Sequence, residues 1–226
     1  MNFDLNKKTL REVNQHLQNI DREKNTRKFE ILNPQGQHAI CAGLKEDIDV
    51  TIKGHTGYYC AGMNQKANIT VHGNVGTGVA ENMMSGKIIV KGNASQSAGA
   101  TGHGGALIIE GDASSRCGIS MKGIDIVVKG SVGHMSAFMA QKGNLVIMGD
   151  ADADLGDSIY EAKIFVKGKV KSLGSDCVEK KMDQKNIDEL TKLFKELGIK
   201  EDVKKFKRYG SSRNLYNFKI DNVGAY

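Results

Sequence analysis

The chain has 226 residues, 39% of them hydrophobic, and a mean hydropathy of −0.38. That is enough for one core, and no apolar run approaches the ~20 residues a bilayer-spanning helix needs, so no membrane partner is expected. The net charge of +6 raises nucleic acid as a partner, but the lysines are spread and no arginine cluster interleaves with aromatics, which argues against it.

Four cysteines without CxxC spacing point to a reducing cytoplasm and give no zinc site, and no apolar segment follows the charged N-terminal residues as a signal peptide would require. Near the N-terminus, Thr9-x-x-Glu12 has the form of a capping box, with Leu10, Val13 and Leu17 spaced for one helix face. Residues 1–28 therefore read as a helical cap over an open end.

A repeat occupies residues 29–181. Seven segments end in glycine at a constant spacing of 19 residues: DVTIKG to Gly54, then strands closing on Gly73, Gly92, Gly111, Gly130, Gly149 and Gly168. A fixed period near twenty residues is the signature of a solenoid, here an all-β parallel β-helix with one coil per repeat. A degenerate first coil precedes them, because Cys41 lies 19 residues before Cys60 and Ile31 lies 19 before Val50. Pro34, the single proline, falls in that first turn, where a missing N–H costs least.

Comparison of the repeats assigns each position a side. Val50 and Ile52, Ile69 and Val71, and their counterparts down to Ile164 and Val166 alternate with period two and should point inward. A second inward column holds Cys41, Cys60, Val79, Ala98, Cys117, Ser136 and Leu155, which makes three cysteines packing residues; a Cys41–Cys60 disulfide is compatible with the spacing. Asn74, Asn93, Asp112, Ser131 and Asp150 follow the strand glycines and read as corner residues bonding their own backbone. Lys53, Lys91, Lys129 and Lys167 recur on every second coil, the pattern of a solvated face.

One outward column breaks the expected polarity: Ile89, Ile108, Val127, Val146 and Phe165 would present an apolar stripe to water, to be covered by the chain's own tail or by a partner. Residues 182–226 supply a candidate cover. A helix beginning at Asn186 or Asp188 carries Ile187, Leu190, Leu193, Phe194 and Leu197 on one face and stops at Gly198; a shorter segment carries Val203 and Phe206. The final stretch, with Tyr216, Phe218 and Tyr226, mixes aromatics and asparagines without periodicity and reads as a docking tail or a free terminus. The stripe and these aromatics are the candidate partner interface.

Chemistry is sparse. His103 lies in Ala100-Thr-Gly-His-Gly-Gly105, whose glycines could cradle an anion, but without the strand-to-helix context of a nucleotide site. Arg116 and His134 complete a set of weak ligand candidates; no His or carboxylate set has metal-ligand spacing, and no nucleophile, base and orienting group can be assembled. On residues alone a scaffold is favoured over an enzyme.

The ordered set Gly57-Tyr-Tyr-Cys-Ala-Gly-Met-Asn64, Val79-Ala-Glu-Asn-Met-Met-Ser-Gly86, Asn93 to Gly105, Cys117 to Gly123 and Gly156 to Ala162 resembles the glycine-repeat family typified by the C-terminal domain of the glutamate synthase large subunit. The resemblance implies a right-handed parallel β-helix. The terminal segments are similar to those of a narrower group, the stand-alone β-helix subunit of N-methylglutamate synthase. In such complexes a glutaminase-like subunit carries an N-terminal cysteine nucleophile and a synthase subunit carries FMN and iron–sulfur clusters. This chain has Asn2 after Met1 and no cluster-binding cysteine spacing, so the resemblance implies no cofactor or catalytic residue in it, and a hetero-oligomer with those two subunits. The alternatives are a subunit of a separated-subunit glutamate synthase, a relative of the C subunit of formylmethanofuran dehydrogenase, or an independent ligand-binding β-helix.

Overall fold

A computed structural model describes residues 1–20 and 27–213. Isoleucines and valines recurring at 19-residue intervals stack coil on coil: Val50, Ile69, Ile88, Leu107, Ile126, Leu145 and Ile164 are successive parallel partners. The strands in chain order are β1 (Asn2–Asp4), β2 (Lys28–Leu32), β3 (Asp49–Lys53), β4 (Asn68–Val71), β5 (Lys87–Val90), β6 (Ala106–Ile109), β7 (Lys122–Val128), β8 (Lys142–Ile147), β9 (Lys163–Val166), β10 (Cys177–Lys180) and β11 (Lys207–Ser211). They form one sheet in the order β1 through β9, then β11, then β10. A second ladder of single parallel bridges runs Thr56, Val75, Ala94, Ala113, Val132, Ala151 and Val170. The inward columns enclose one continuous core.

The third side of each coil contains no strand. Left-handed residues recur there in three columns, exemplified by Tyr59, Ala61 and Met63 on one coil and Ser97, Gly99 and Thr101 two coils later. Their amides alternate in direction: Ser97 and Thr101 donate forward to Ser115 and Ile119, whereas Gly99 donates back to Val79. Each such non-glycine residue costs about 1–2 kcal/mol. A buried amide left without a partner would cost about 1–3 kcal/mol, so the inter-coil bonds offset the strain.

The column after the strand glycines differs from the sequence expectation. Asn74 Oδ1 accepts from the Asn93 amide, Asn93 from Asp112, Asp112 from Ser131, Ser131 Oγ from Asp150, and Asp150 from Lys169, at 2.7–3.0 Å. These side chains bond the next coil rather than their own corner, because stacking places that amide directly above them. The strand-end glycines follow from this. Gly92, Gly111, Gly130, Gly149 and Gly168 are not left-handed, but a Cβ at each would lie inside van der Waals contact with the ladder oxygen below it.

The first coil also corrects the expected register. Phe29 pairs with Val50 and Ile31 with Ile52, a 21-residue step, while the Gly36 amide bonds His55 O at the ordinary 19. Two extra residues are absorbed around Pro34, between Asn33 and Gln35, both of which are left-handed.

Both ends are closed. At the first end β1 adds a parallel strand beside β2, which no repeat signals, and α1 (Leu10–Gln18) covers the lumen with Val13 and Leu17 fully buried. Thr9 and Glu12 form the expected capping box. Asn14 stands in for a missing coil: Nδ2 donates to Ala39 O and Oδ1 accepts from the Cys41 amide, at 2.8 and 2.9 Å, while Gln18 Nε2 donates to Ala42 O at 2.7 Å. At the other end β11 inserts antiparallel between β9 and β10.

Gly111→Ala should destabilise the chain by about 1–3 kcal/mol through overpacking. Asn93→Ala, losing one partly solvated hydrogen bond, should cost about 0.5–1.5 kcal/mol. Denaturant unfolding of the double variant should show a smaller loss than the sum, because removing Asn93 Oδ1 clears the space the new methyl needs. Additive losses would contradict the close-approach account of the glycines.

Candidate functional site

The outward stripe is covered largely by the chain itself. The helix α2 (Gln184–Leu197) is capped at its start by Asp183, whose carboxylate accepts from the Asn186 amide at 3.0 Å, and at its end by left-handed Gly198. It therefore begins one helical turn earlier than the sequence suggested. Its Leu190, Leu193 and Phe194 pack on Val127, Val146 and Phe165, and Phe206 joins them edge-on to Phe194 at 5.6 Å. Each buried side chain of this kind contributes about 1.5–3 kcal/mol. Lys163 and Glu189 pair at the margin. Asp125, beneath the same helix, has its carboxyl pushed up by burial and by the charges of Glu189 and Glu196, against a hydrogen bond from Asn144.

The cover stops short of the whole column. Ile108 is buried, Ile89 is half-buried, and both line a groove of about 460 Å³ with Met148, Leu197 and Ile199. Glu110 and Lys129 also line it; Glu110 lies 2.9 Å from Lys91 and 3.2 Å from Lys129, bridging coils whose lysines would otherwise repel, and the bond from Lys91 holds its carboxyl below the usual range.

The weak ligand candidates are divided. Arg116 and His134 are exposed on adjacent coils of one corner, where the Arg116 amide bonds His134 O, and His134 Nδ1 lies 3.4 Å from Asp154. His103 belongs to the next corner, its amide donating to Met83 O. The amides of Thr101, Gly102 and His103 are committed to carbonyls, so this segment does not cradle an anion. Its glycines are positions of close approach: a Cβ on Gly102 would meet Ile124, and one on Gly104 would meet Met84 O.

The cysteines are free thiols packed in the core, with no disulfide between Cys41 and Cys60. Burial pushes the thiols up, to about 11 for Cys60 and Cys177 and about 12 for Cys117. Among the described residues no group of three or more His, Cys, Asp or Glu is placed to hold a metal ion, and no helix is long and apolar enough to cross a membrane. Tyr216, Phe218 and Tyr226 lie outside the described residues.

The family description matching this chain is the GXGXG motif, over residues 2–220. The chain belongs to the GXGXG motif family. It is also 57% identical, over 226 residues, to Protein GlxC of Rhizobium meliloti (strain 1021), covering 99% of each chain. For a member of the GXGXG family, the repeat supplies the column and the flanking segments supply its covers.

Two surface features escaped the repeat analysis. His38 stacks on Tyr58 at 4.5 Å, with Tyr59 edge-on at 6.5 Å, and both tyrosines are half-exposed. On the strandless side, Met63 and Met139 occupy one column and are exposed, with Ile119 and Phe138 beside it. Aligning the variable halves of the repeats, as was done for the strands, would have shown this second column.

Val146→Lys should release α2, because an ammonium cannot be buried against Phe165 without a partner. Hydrogen exchange should then increase by orders of magnitude over residues 184–197 while the inner strands stay protected; unchanged exchange there would contradict the packing. For the thiols, alkylation in the native state at pH 8 should be negligible. Because the folded state retains protons that unfolded thiols release near pH 9.0, stability should fall as pH rises from about 9 towards 11–12. Rapid native labelling of Cys117 would refute the burial.

Proposed function

We propose that this chain is a non-catalytic structural subunit of a glutamate synthase-like complex, N-methylglutamate synthase, which converts methylamine and glutamate to N-methylglutamate and ammonia. The carrying observation is the GXGXG match over residues 2–220, on a column whose corner side chains are engaged in joining coil to coil. Support also comes from the full-length similarity to Protein GlxC.

In this reading the column bridges a glutaminase-like subunit and a subunit carrying FMN and iron–sulfur clusters, holding two reactive centres at a fixed separation in a cytoplasmic hetero-oligomer. The stripe left open beyond α2, at Ile89 and Ile108, is the part of the expected partner interface that remains accessible.

Native mass spectrometry of the complex purified through this chain should identify both partner subunits. Flavin, iron or amine transfer retained by the isolated chain would overturn the assignment. Ile89→Lys should leave the melting temperature of the isolated chain within a few degrees, since the site is half-buried, and reduce co-purification of a partner at least tenfold. Full co-purification would remove the groove from the interface.

A further inference from the structure

The strandless side of the solenoid carries an outward ladder that ends where the described chain ends. Carbonyls of Ala100, Ile119, Phe138, Asp157 and Ser175 accept in turn from the coil before. Ile119 and Phe138 are half-buried and lie outside both hydrophobic clusters, so their side chains face outward, beside exposed Met139. At the final coil the Ser212 amide donates to Asp176 O at 2.7 Å and the Arg213 guanidinium pairs with the Asp176 carboxylate. The chain thus passes residue 213 fixed at the foot of an apolar surface.

We propose that residues 214–226 of this chain dock on that surface, with Tyr216 against Phe138 and Phe218 against Ile119. Three observations combine. The attachment at Asp176 sets the starting point. Across Tyr216, Asn217, Phe218, Lys219 and Ile220 the apolar side chains alternate, presenting one apolar face to a flat apolar partner. Reach also agrees: Phe138 and Ile119 stand two and three coils from Asp176, ~10 and ~14 Å at one coil per ~4.8 Å. An extended chain of three and five residues beyond Arg213 spans at most ~10 and ~17 Å. This inference does not depend on the complex assigned above.

The test uses the full chain with p-benzoylphenylalanine in place of Phe218. Irradiation should link it, within one chain and independently of protein concentration, to the segment between Ala100 and Met139. Phe138→Asp, which alters an outward side chain and should leave the circular dichroism unchanged, should reduce that yield at least fivefold. Links elsewhere, links between copies, links only to another protein, or none would each overturn the proposal. In a chain ending at Arg213, peroxide should oxidise Met139 several-fold faster than in the full chain while Met84, around the next corner, is unaffected. Equal Met139 rates would also overturn it.

Discussion

Inter-coil hydrogen bonding at a constant 19-residue offset is the constraint on which everything else in this molecule rests. It sets the strand register, and it also dictates which residues the corners can hold. Where the bond comes from a side chain, as with Asn93 and Asp112, its oxygen occupies the space a Cβ would need one coil on, and glycine becomes obligatory. Where the bond comes from a backbone in alternating orientation, residues such as Arg116 and Met135 are held left-handed. The repeat is therefore a set of mutually dependent local choices, each carrying the same sense.

The strand half of each coil was legible in the sequence because alternation with period two is a direct image of inside and outside. The inner columns and the apolar stripe were found in this way. The corners were only half legible: polar residues after the glycines were evident, but their partners lie 19 residues away, and local turn chemistry predicts contacts within the corner. The two-residue insertion around Pro34 was hidden because Cys41 and Cys60 keep the normal spacing on the far side of it. β1 and β11 were missed for a simpler reason. Neither repeats anything, so each is a strand only because an edge is there to receive it.

The same limits apply to the candidate site. The identity of the stripe could be read from composition, but its cover could not, since an amphipathic helix says only that it needs a surface. Coordinates supply the answer for Val127, Val146 and Phe165 and leave Ile89 at the boundary. His103 and Arg116 looked associated only because glycine-rich segments surround both; in three dimensions they belong to different corners, and the glycines near His103 are there for packing.

The antiparallel placement of β11 has a further meaning. A stack of identical turns has no intrinsic reason to stop, and its exposed rim offers any similar rim a template of matching polarity. Reversing chain direction in the next-to-last position replaces that template with one that a parallel turn cannot read. The molecule thereby acquires a terminus in the polymer chemist's sense, an end group that prevents end-to-end fibre growth and fixes the length of the rod.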